Sequence, residues 1–264
     1  MTNRLLKTSA KLVRIAMLGL SLLMMAGCAT VPRDPAARAE FKANNDPIEP
    51  FNRKVFAFNL TFDRMLIKPL AKGYRWVLPD WIRDTVRRVL DNLNEPIVMV
   101  NCVLQVRLTA AATTGGRFIV NSTCGAGGIA DLATDWEMPK QVGDFGQTLW
   151  SWHVPEGPYL VIPIFGPSNP RDGIGQGVDV YIDPFRYEPL NDSYPDAVTT
   201  GRLVADGIDQ RERNLESLDE IQRESIDYYA SLRSLFRQNR AAELKGEKTS
   251  TTLPPAGFYD DPGN

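Results

Sequence analysis

The chain has few of the residue sets from which enzyme active sites are built. It contains a single histidine, His153, so no histidine pair can share a metal ion, and neither H-x-x-x-H nor C-x-x-C occurs. The G-x-S-x-G motif of serine hydrolases is also missing. A lone histidine between Trp152 and Val154 is most often a packing or hydrogen-bonded residue. We therefore expect no catalytic residue, no metal site and no cofactor.

One glycine-rich segment imitates a cofactor motif. Residues 125–130 satisfy G-x-G-x-x-[GA], and residues 118–120 before them are apolar enough to pass for a strand. A dinucleotide site also needs a βαβ unit, whereas the following segment meets Pro139 after two or three helical turns. We interpret the glycines as a tight turn between helices.

Cysteine is scarce, with three residues in 264. Cys102 and Cys124 could form a disulfide in an oxidising compartment. Both sit among apolar or small residues, so two unpaired, buried thiols are at least as good an interpretation.

Long apolar segments are absent beyond Cys28: no uncharged stretch there reaches the roughly 20 residues that a spanning helix needs. Strict apolar–polar alternation is also scarce, which disfavours β-strands. Residues 97–106 are apolar nearly all round, interrupted by Asn101 and Gln105. Such a helix is either enclosed by protein or faces lipid.

The N-terminus carries an export signal. Four cations and no acid precede an apolar stretch at residues 15–25, and the small pair Ala26-Gly27 follows. Residues 25–28 resemble a lipobox, which predicts cleavage before Cys28 and lipidation of its thiol; an ordinary signal with an incidental cysteine is the alternative. Residue 29 is Ala rather than the Asp that retains enterobacterial lipoproteins on the inner membrane. We expect the periplasmic face of the outer membrane.

The mature chain is acidic. Without the four signal cations, 26 basic side chains face 32 acidic ones, a net charge of −6 with His153 neutral. Bulk attraction to nucleic acid is therefore not expected. We divide the chain into a signal peptide at 1–27, a lipidated tether at 28–45, a helical domain at 46–243 and a disordered tail at 244–264.

Helical periodicity dominates the domain. Phe51, Val55, Phe58, Phe62 and Met65 recur at helical spacing, with Asn52, Arg53, Asn59 and Asp63 on other faces. Asp80 is predicted to cap a second helix, Pro96 to open a third, and residues 109–121 to form another. From Leu215 onward an amphipathic helix packs on the body.

The segment between Asp144 and Pro184 is too rich in glycine and proline for one long helix. Its tryptophans and other aromatics suit short helices at a membrane interface. A well-packed irregular loop fits the composition equally well.

A series of ordered motifs in residues 46–240 resembles one family, the MlaA or VacJ lipoproteins. The motifs are Asp46-Pro47-x-Glu49-x-x-Asn52-Arg53, Phe58-Asn59, Pro69-x-Ala71-x-x-Tyr74, Arg117-Phe118 with Asn121, Gly127-Gly128 with Asp131, Asp144-Phe145-Gly146-Gln147-Thr148-Leu149, Gly157-Pro158-Tyr159, Gly166-Pro167-Ser168 with Arg171-Asp172-Gly173, Asp227-x-Tyr229 and Arg240.

The resemblance implies an all-α, single-domain, ring-like fold of amphipathic helices set in one membrane leaflet. It also implies association with trimeric porins and a polar-walled channel. Through that channel, phospholipids misplaced in the outer leaflet would reach a soluble, MlaC-like periplasmic carrier, so that outer-membrane lipid asymmetry is maintained without bond making or breaking.

Candidate residues of the lipid path are Asp144, Gln147, Arg171 and Asp172, chosen because they are polar within an otherwise apolar segment. A buried ion pair or helix caps that fix the fold are the alternative for each. Two other functions stay open for the whole protein: a lipoprotein that scaffolds porins without moving lipid, and an envelope lipid hydrolase, which the missing motifs disfavour.

Overall fold

The computed structural model describes residues 44–187 and 197–246, together with positions 33–35, 38 and 41. The predicted signal peptide, Cys28, most of the tether and residues 247–264 of the predicted tail lie outside the described residues.

The described part of the chain is helical apart from one hairpin, which confirms the all-α class. Its helices are α1 (Glu49–Phe62), α2 (Lys68–Val77), α3 (Asp80–Leu104), α4 (Leu108–Thr123), α5 (Leu132–Asp135), α6 (Phe145–Ser151), α7 (Pro170–Ile182), α8 (Ala197–Arg213), α9 (Leu215–Glu224) and α10 (Tyr228–Lys245). A π-helical turn (Asp63–Ile67) joins α1 to α2, and a 3-10 turn (Pro184–Tyr187) follows α7. Strands β1 (Leu160–Ile162) and β2 (Gly166–Ser168) pair antiparallel. Among these helices we find none with the length and apolarity needed to cross a bilayer.

Helix α3 corrects two predictions. It runs through Pro96 without a break, so the prediction that Pro96 opens a new helix is wrong. Proline removes one backbone hydrogen bond, but here α3 packs closely along α4, and the neighbouring Glu95 accepts a 2.9 Å hydrogen bond from Arg117 of α4. This packing offsets the backbone hydrogen bond lost at Pro96. Asp80 is the first helical residue, and Pro79 takes the capping position.

Helix α1 forms as predicted but buries another face. Asn52 and Phe56 are its buried residues, whereas Phe58 and Met65 of the predicted apolar stripe are exposed. The buried stripe continues at the same helical spacing to Asn59 and Asp63. The polar members of this stripe face inward because they bind the hairpin and α8, as described below.

The predicted C-terminal helix is two helices. The chain breaks at residues 225–227, where Asp227 accepts a hydrogen bond from the backbone N–H of Ala230 and so caps α10. The Asp227 carboxylate also accepts hydrogen bonds from both terminal nitrogens of Arg53 in α1, at 3.2 and 2.6 Å. The cap and the ion pair together favour two helices over one.

The predicted glycine turn lies between α4 and α5. Gly128 has a φ of +93°, and a Cβ there would come within 2.6 Å of the Asn92 Cβ on α3. Glycine also lets α6 and α7 touch, because a Cβ on Gly175 would lie 2.4 Å from the Gly146 nitrogen.

The interior of the described chain is unusually polar. Buried polar and charged side chains outnumber buried apolar ones, and the main apolar cluster is small. Phe56, Tyr159, Val161, Tyr229 and Phe236 form that cluster between α1, the hairpin and α10. Many contacts between the helices are therefore hydrogen bonds and ion pairs rather than apolar packing.

Candidate functional site

A cavity of about 500 Å³ lies among α1, α2, the hairpin and helices α8–α10. This volume is typical of small-molecule binding sites, which run from roughly 300 to 1,000 Å³. Most of the wall is apolar. The apolar wall residues are Leu60, Phe62, Leu66, Ile67, Leu70, Ile164, Phe165, Pro167, Leu203, Val204, Ile208, Leu218, Leu232, Leu235 and Phe236. Tyr228 also lines the cavity, and burial raises the pKa of its hydroxyl to about 12.

The π turn shapes one side of this cavity. Asp63, Leu66 and Ile67 of the turn line it, as does Leu70 of α2. A π turn holds one residue more than an α turn. Compared with an unbroken α-helix of the same sequence, each later residue is therefore rotated by about 100° about the helix axis. One continuous chain segment thereby presents both α1 and α2 to the cavity. Leu66 and Leu70 remain 44% exposed, so the cavity is open on this side.

Charge in the wall is confined to one place. Among the described residues that line the cavity, the charged ones are Asp63, Arg211 and Asp219, and they contact one another. Arg211 donates from Nε and Nη2 to the Asp63 carboxylate at 2.7 and 3.0 Å, and its Nη2 lies 3.8 Å from Asp219. Lys68 donates to both Asp219 oxygens at 2.7 Å. We call Asp63, Lys68, Arg211 and Asp219 the charged cluster.

Two asparagines of α1 hold the hairpin that forms another wall. Asn52 donates to the Tyr159 carbonyl and accepts from the Val161 N–H, both at 3.0 Å. Seven residues later, Asn59 donates to the Ile162 carbonyl at 3.0 Å and accepts from the Ile164 N–H at 2.8 Å. The two amides therefore act as a neighbouring strand for β1.

The predicted path residues are brought together elsewhere, around Arg240 of α10. Arg240 donates from Nη1 and Nη2 to Asp144, both at 2.8 Å, and from Nε and Nη2 to Asp172 at 3.0 and 3.1 Å. Arg171 adds a 3.0 Å bond to Asp172, and Glu243 accepts one from Arg240, also at 3.0 Å. This buried cluster ties α6, α7 and α10 together.

Electrostatics favours the ionised state of Asp172 and Arg240. Burial alone would raise the pKa of Asp172, but Arg240 and Arg171 hold it below its ordinary value. Burial also opposes the charge on Arg240, yet Asp144 and Asp172 raise its pKa well above the usual value. Asp144 additionally caps α6 by accepting from the Gln147 N–H at 2.8 Å, and the Gln147 side chain is buried. The structure therefore contains both a buried ion pair and a helix cap, the two roles given above as the alternative to a lipid path.

None of Asp144, Gln147, Arg171 and Asp172 lines the cavity. Their assignment to a lipid path stays a prediction. Sequence reasoning missed the charged cluster because Asp63 and Arg211 are 148 residues apart. The signal that could have found Asp63 is its spacing from Asn52, Phe56 and Asn59, which places all four on one helical face.

His153 and the two cysteines do not line the cavity. His153 is exposed and has a φ of +63°, at the end of α6, so the packing half of that expectation is wrong. Cys102 and Cys124 are both free; Cys102 is buried as predicted, whereas Cys124 is exposed. Within the described ranges, no three His, Cys, Asp or Glu side chains are placed to hold a metal ion.

Large apolar side chains are exposed on the outside of the helices. Of the segment at residues 97–106, Ile97, Val98 and Cys102 face protein, and Val103 and Val106 are exposed. Other exposed apolar and aromatic residues include Trp76, Val77, Trp81, Leu108, Ile119, Ile129, Trp136, Trp150 and Trp152. Exposed apolar surface on this scale marks an interaction with membrane or protein.

Comparison with known proteins gives a consistent result. The family model for the MlaA lipoprotein matches residues 44–243. A protein of Escherichia coli K12 named intermembrane phospholipid transport system lipoprotein MlaA is 30% identical over 231 residues, which cover 86% of each chain. The protein of the same name from Haemophilus influenzae is 32% identical over 225 residues, 83% of this chain and 86% of the relative.

Two further matches extend the comparison. An uncharacterized protein of Rickettsia felis is 35% identical over 201 residues, 76% of this chain and 78% of the relative. A solved structure described as the structural basis for maintenance of bacterial outer membrane lipid asymmetry matches with a TM-score of 0.65 and 30% identity, over 75% of this chain and 98% of that one. The chain therefore belongs to the MlaA lipoprotein family.

Proposed function

We propose that this protein gives phospholipids misplaced in the outer leaflet of the outer membrane a passive path to a soluble periplasmic carrier. The observation that carries the proposal is the open, apolar cavity of about 500 Å³ with its charge gathered in one cluster. Such a cavity suits an amphiphile, a molecule with an apolar body and a polar end. The names of the relatives, which refer to phospholipid transport, agree with this ligand class.

The distribution of side chains supports a position within one membrane leaflet. Many large apolar residues are exposed and several ion pairs are buried, which is unusual for a protein surrounded by water. Exposed tryptophans such as Trp76 and Trp81 suit the interfacial region, where their rings are favoured. Acyl chains on Cys28 would hold the protein on the periplasmic side.

The physical task is to lower the barrier for the lipid head group. An unpaired charge in hydrocarbon costs several kcal/mol, so an unassisted head group crosses slowly. The charged cluster offers both signs of charge beside the apolar wall. A head group that exchanges water for these partners keeps its charge compensated while its acyl chain stays in an apolar environment.

A trimeric porin and an MlaC-like carrier complete the proposal. The exposed apolar side chains described above provide surface for a porin as well as for lipid. Asp144, Gln147, Arg171 and Asp172 remain candidates for a polar section of the path, with their buried ion pairs favouring a structural role.

The proposal is tested by lipid transfer. Vesicles carrying the lipidated full chain with a porin are mixed with a soluble lipid carrier, and labelled phospholipid reaching the carrier is measured. We expect transfer by the wild type and a strong loss with Leu235→Trp, which fills the cavity from α10. Ala241→Trp, an exposed position on the same helix, is the control and should transfer normally.

Three outcomes contradict the proposal. Porin association without lipid transfer would support the scaffolding function, and release of fatty acid or lysophospholipid would support a hydrolase. Transfer that survives Leu235→Trp in a folded protein would remove the cavity from the path.

A further inference from the structure

A groove between α2 and α9 lies on the surface of the protein, beside the cavity. Its charged lining residues are Lys72, Arg75, Glu216, Asp219, Glu220 and Arg223. Asp219 lines the cavity as well, so the groove and the cavity adjoin at its ion pair with Lys68. Helix α9 therefore turns one face to the cavity and another to the groove, and the groove is a separate surface.

Three of the charges in the groove are already compensated. Arg75 donates from Nε to Glu212 at 2.6 Å and also holds Glu216 with its terminal nitrogens. Asp219 accepts from Lys68 at 2.7 Å. These ion pairs fasten α2 to α8 and α9 and leave little charge for a ligand.

The other three charges have no partner. Within the described residues, the side chains of Lys72, Glu220 and Arg223 take part in no ion pair or hydrogen bond, although all three are exposed and line one groove. Glu220 and Arg223 are three residues apart on α9 and share a helix face, and Lys72 lies across the groove on α2. The groove therefore offers two cations and one carboxylate to a ligand that carries both signs of charge.

The rim of the groove favours a lipid as the source of that ligand. Trp76 lines the groove and is 87% exposed, and Val77 and Trp81 near it in the chain are exposed as well. Tryptophan rings are favoured at the depth of lipid head groups. A membrane that takes up this edge brings its head groups level with the groove, whereas a small soluble zwitterion would leave the apolar edge uncovered.

We propose that the groove binds the head group of phosphatidylethanolamine from the surrounding leaflet. The phosphate accepts hydrogen bonds from Lys72 and Arg223, and the ammonium group donates to Glu220. Phosphatidylglycerol brings no cation to Glu220, and phosphatidylcholine has no N–H to donate. This inference rests on the proposed function for the position of the protein in a membrane, and it adds a head-group preference and a second lipid-binding surface.

Retained lipid tests the inference. The lipidated full chain is extracted from vesicles with equal amounts of phosphatidylethanolamine, phosphatidylglycerol and phosphatidylcholine of matched acyl chains, and native mass spectrometry counts the bound lipids. We expect phosphatidylethanolamine to predominate. Lys72→Gln with Arg223→Gln should lower its retention about three- to tenfold, since two exposed charge pairs are lost. Lys54→Gln with Lys245→Gln removes the same charge from other exposed positions and should retain lipid like the wild type.

Glu220→Gln separates the ammonium contact from the phosphate contact. It should shift retention from phosphatidylethanolamine toward phosphatidylglycerol by about three- to fivefold, because the side chain no longer attracts an ammonium group or repels an anionic lipid.

Four results would overturn the inference. They are equal retention of the three lipids by the wild type, wild-type retention by the variant that lacks Lys72 and Arg223, equally strong binding of soluble glycerophosphoethanolamine, and a loss of carrier binding in that variant with its lipid retention unchanged. The third would assign the groove to a soluble zwitterion and the fourth to a protein.

The cavity variant Leu235→Trp keeps this inference distinct from the proposed function. With the cavity filled, the preference for phosphatidylethanolamine and its dependence on Lys72 and Arg223 should persist. If they persist while the wild type transfers no phospholipid to the carrier, the head-group site stands and the proposed function falls. If the wild type transfers phospholipid but loss of Lys72 and Arg223 leaves retention unchanged, the head-group site is wrong and the proposed function stands.

Discussion

At the scale of single residues, Arg240 has the largest predicted effect. It compensates Asp144, Asp172 and Glu243 in a buried position. Arg240→Met should lower the free energy of unfolding by about 3–5 kcal/mol, because buried carboxylates lose their partner. Chemical denaturation measures this loss. Arg237→Met on the same helix is the control, since its contact with Glu156 at 3.5 Å is partly exposed and should contribute less than about 1 kcal/mol.

Phospholipid at the cell surface, measured together with protein abundance and porin binding, distinguishes the two interpretations of the predicted path residues. If Asp144 and Arg171 line the path, apolar replacements should leave a folded, porin-bound protein and raise phospholipid at the cell surface. If they only hold the fold, the variants should be depleted and sensitive to proteases. A well-folded variant with normal lipid asymmetry would remove these residues from the path.

Asp206 should make stability depend on pH. Burial, with Asp91 and Asp209 adding to it, raises the pKa of Asp206 from an ordinary value near 3.8 to about 7. Between these values the folded protein binds a proton that the unfolded chain does not, so this group lowers stability as pH rises from about 4 to 7.

Asp206→Asn removes this dependence. Its advantage over the wild type should grow by at most about 1.4 kcal/mol per pH unit up to pH 7 and then stay constant. Urea unfolding at several pH values measures the difference, with the exposed Asp135→Asn as the control. An advantage that does not change with pH would contradict the raised pKa.

At the scale of elements, the hairpin depends on α1. Asn52→Leu should destabilise the whole fold, since Asn52 is fully buried and also donates to Asp46 at 2.8 Å. Asn59→Leu removes the two hydrogen bonds at the hairpin tip, where Ile164 is exposed. It should lower the free energy of unfolding by no more than about 1–3 kcal/mol.

Hydrogen exchange of the hairpin amides checks this pair. Asn59→Leu should accelerate exchange at Ile164 and spare Val161, whereas Asn52→Leu should accelerate both. Unchanged exchange at Ile164 in Asn59→Leu would show that the amide does not hold the tip.

The periodicity of the sequence predicted most helices but not which elements they pack against. The helices, the scarcity of strands and the glycine turn follow from local sequence. The buried face of α1 does not, because Asn52 and Asn59 satisfy backbone groups of β1 that lie more than 100 residues away. Pro96 misled for a similar reason: the packing of α4 outweighs a local helix-breaking preference. The cavity was not foreseen, because its wall combines five helices and a hairpin from distant parts of the chain.

At the scale of the whole molecule, attachment should depend on Cys28. Acyl chains contribute about 0.8 kcal/mol per buried methylene, so their loss outweighs any single side chain. Cys28→Ala should therefore abolish both membrane retention and lipid transport. Labelling of cells with a palmitate analogue, followed by fractionation, measures this. An unlabelled wild-type protein that still fractionates with the outer membrane would refute the anchor.

The π turn between α1 and α2 sets which face α2 turns toward α8 and α9. If this segment became an unbroken α-helix with no residue removed, α2 would rotate about its own axis by about 100°. Lys68, Tyr74 and Arg75 would then leave Asp219, Asp209 and Glu212 together. Deleting one residue of the turn would instead restore α-helical geometry and keep these pairs, so this wall tolerates the loss of one residue better than the loss of the π turn with its full length retained.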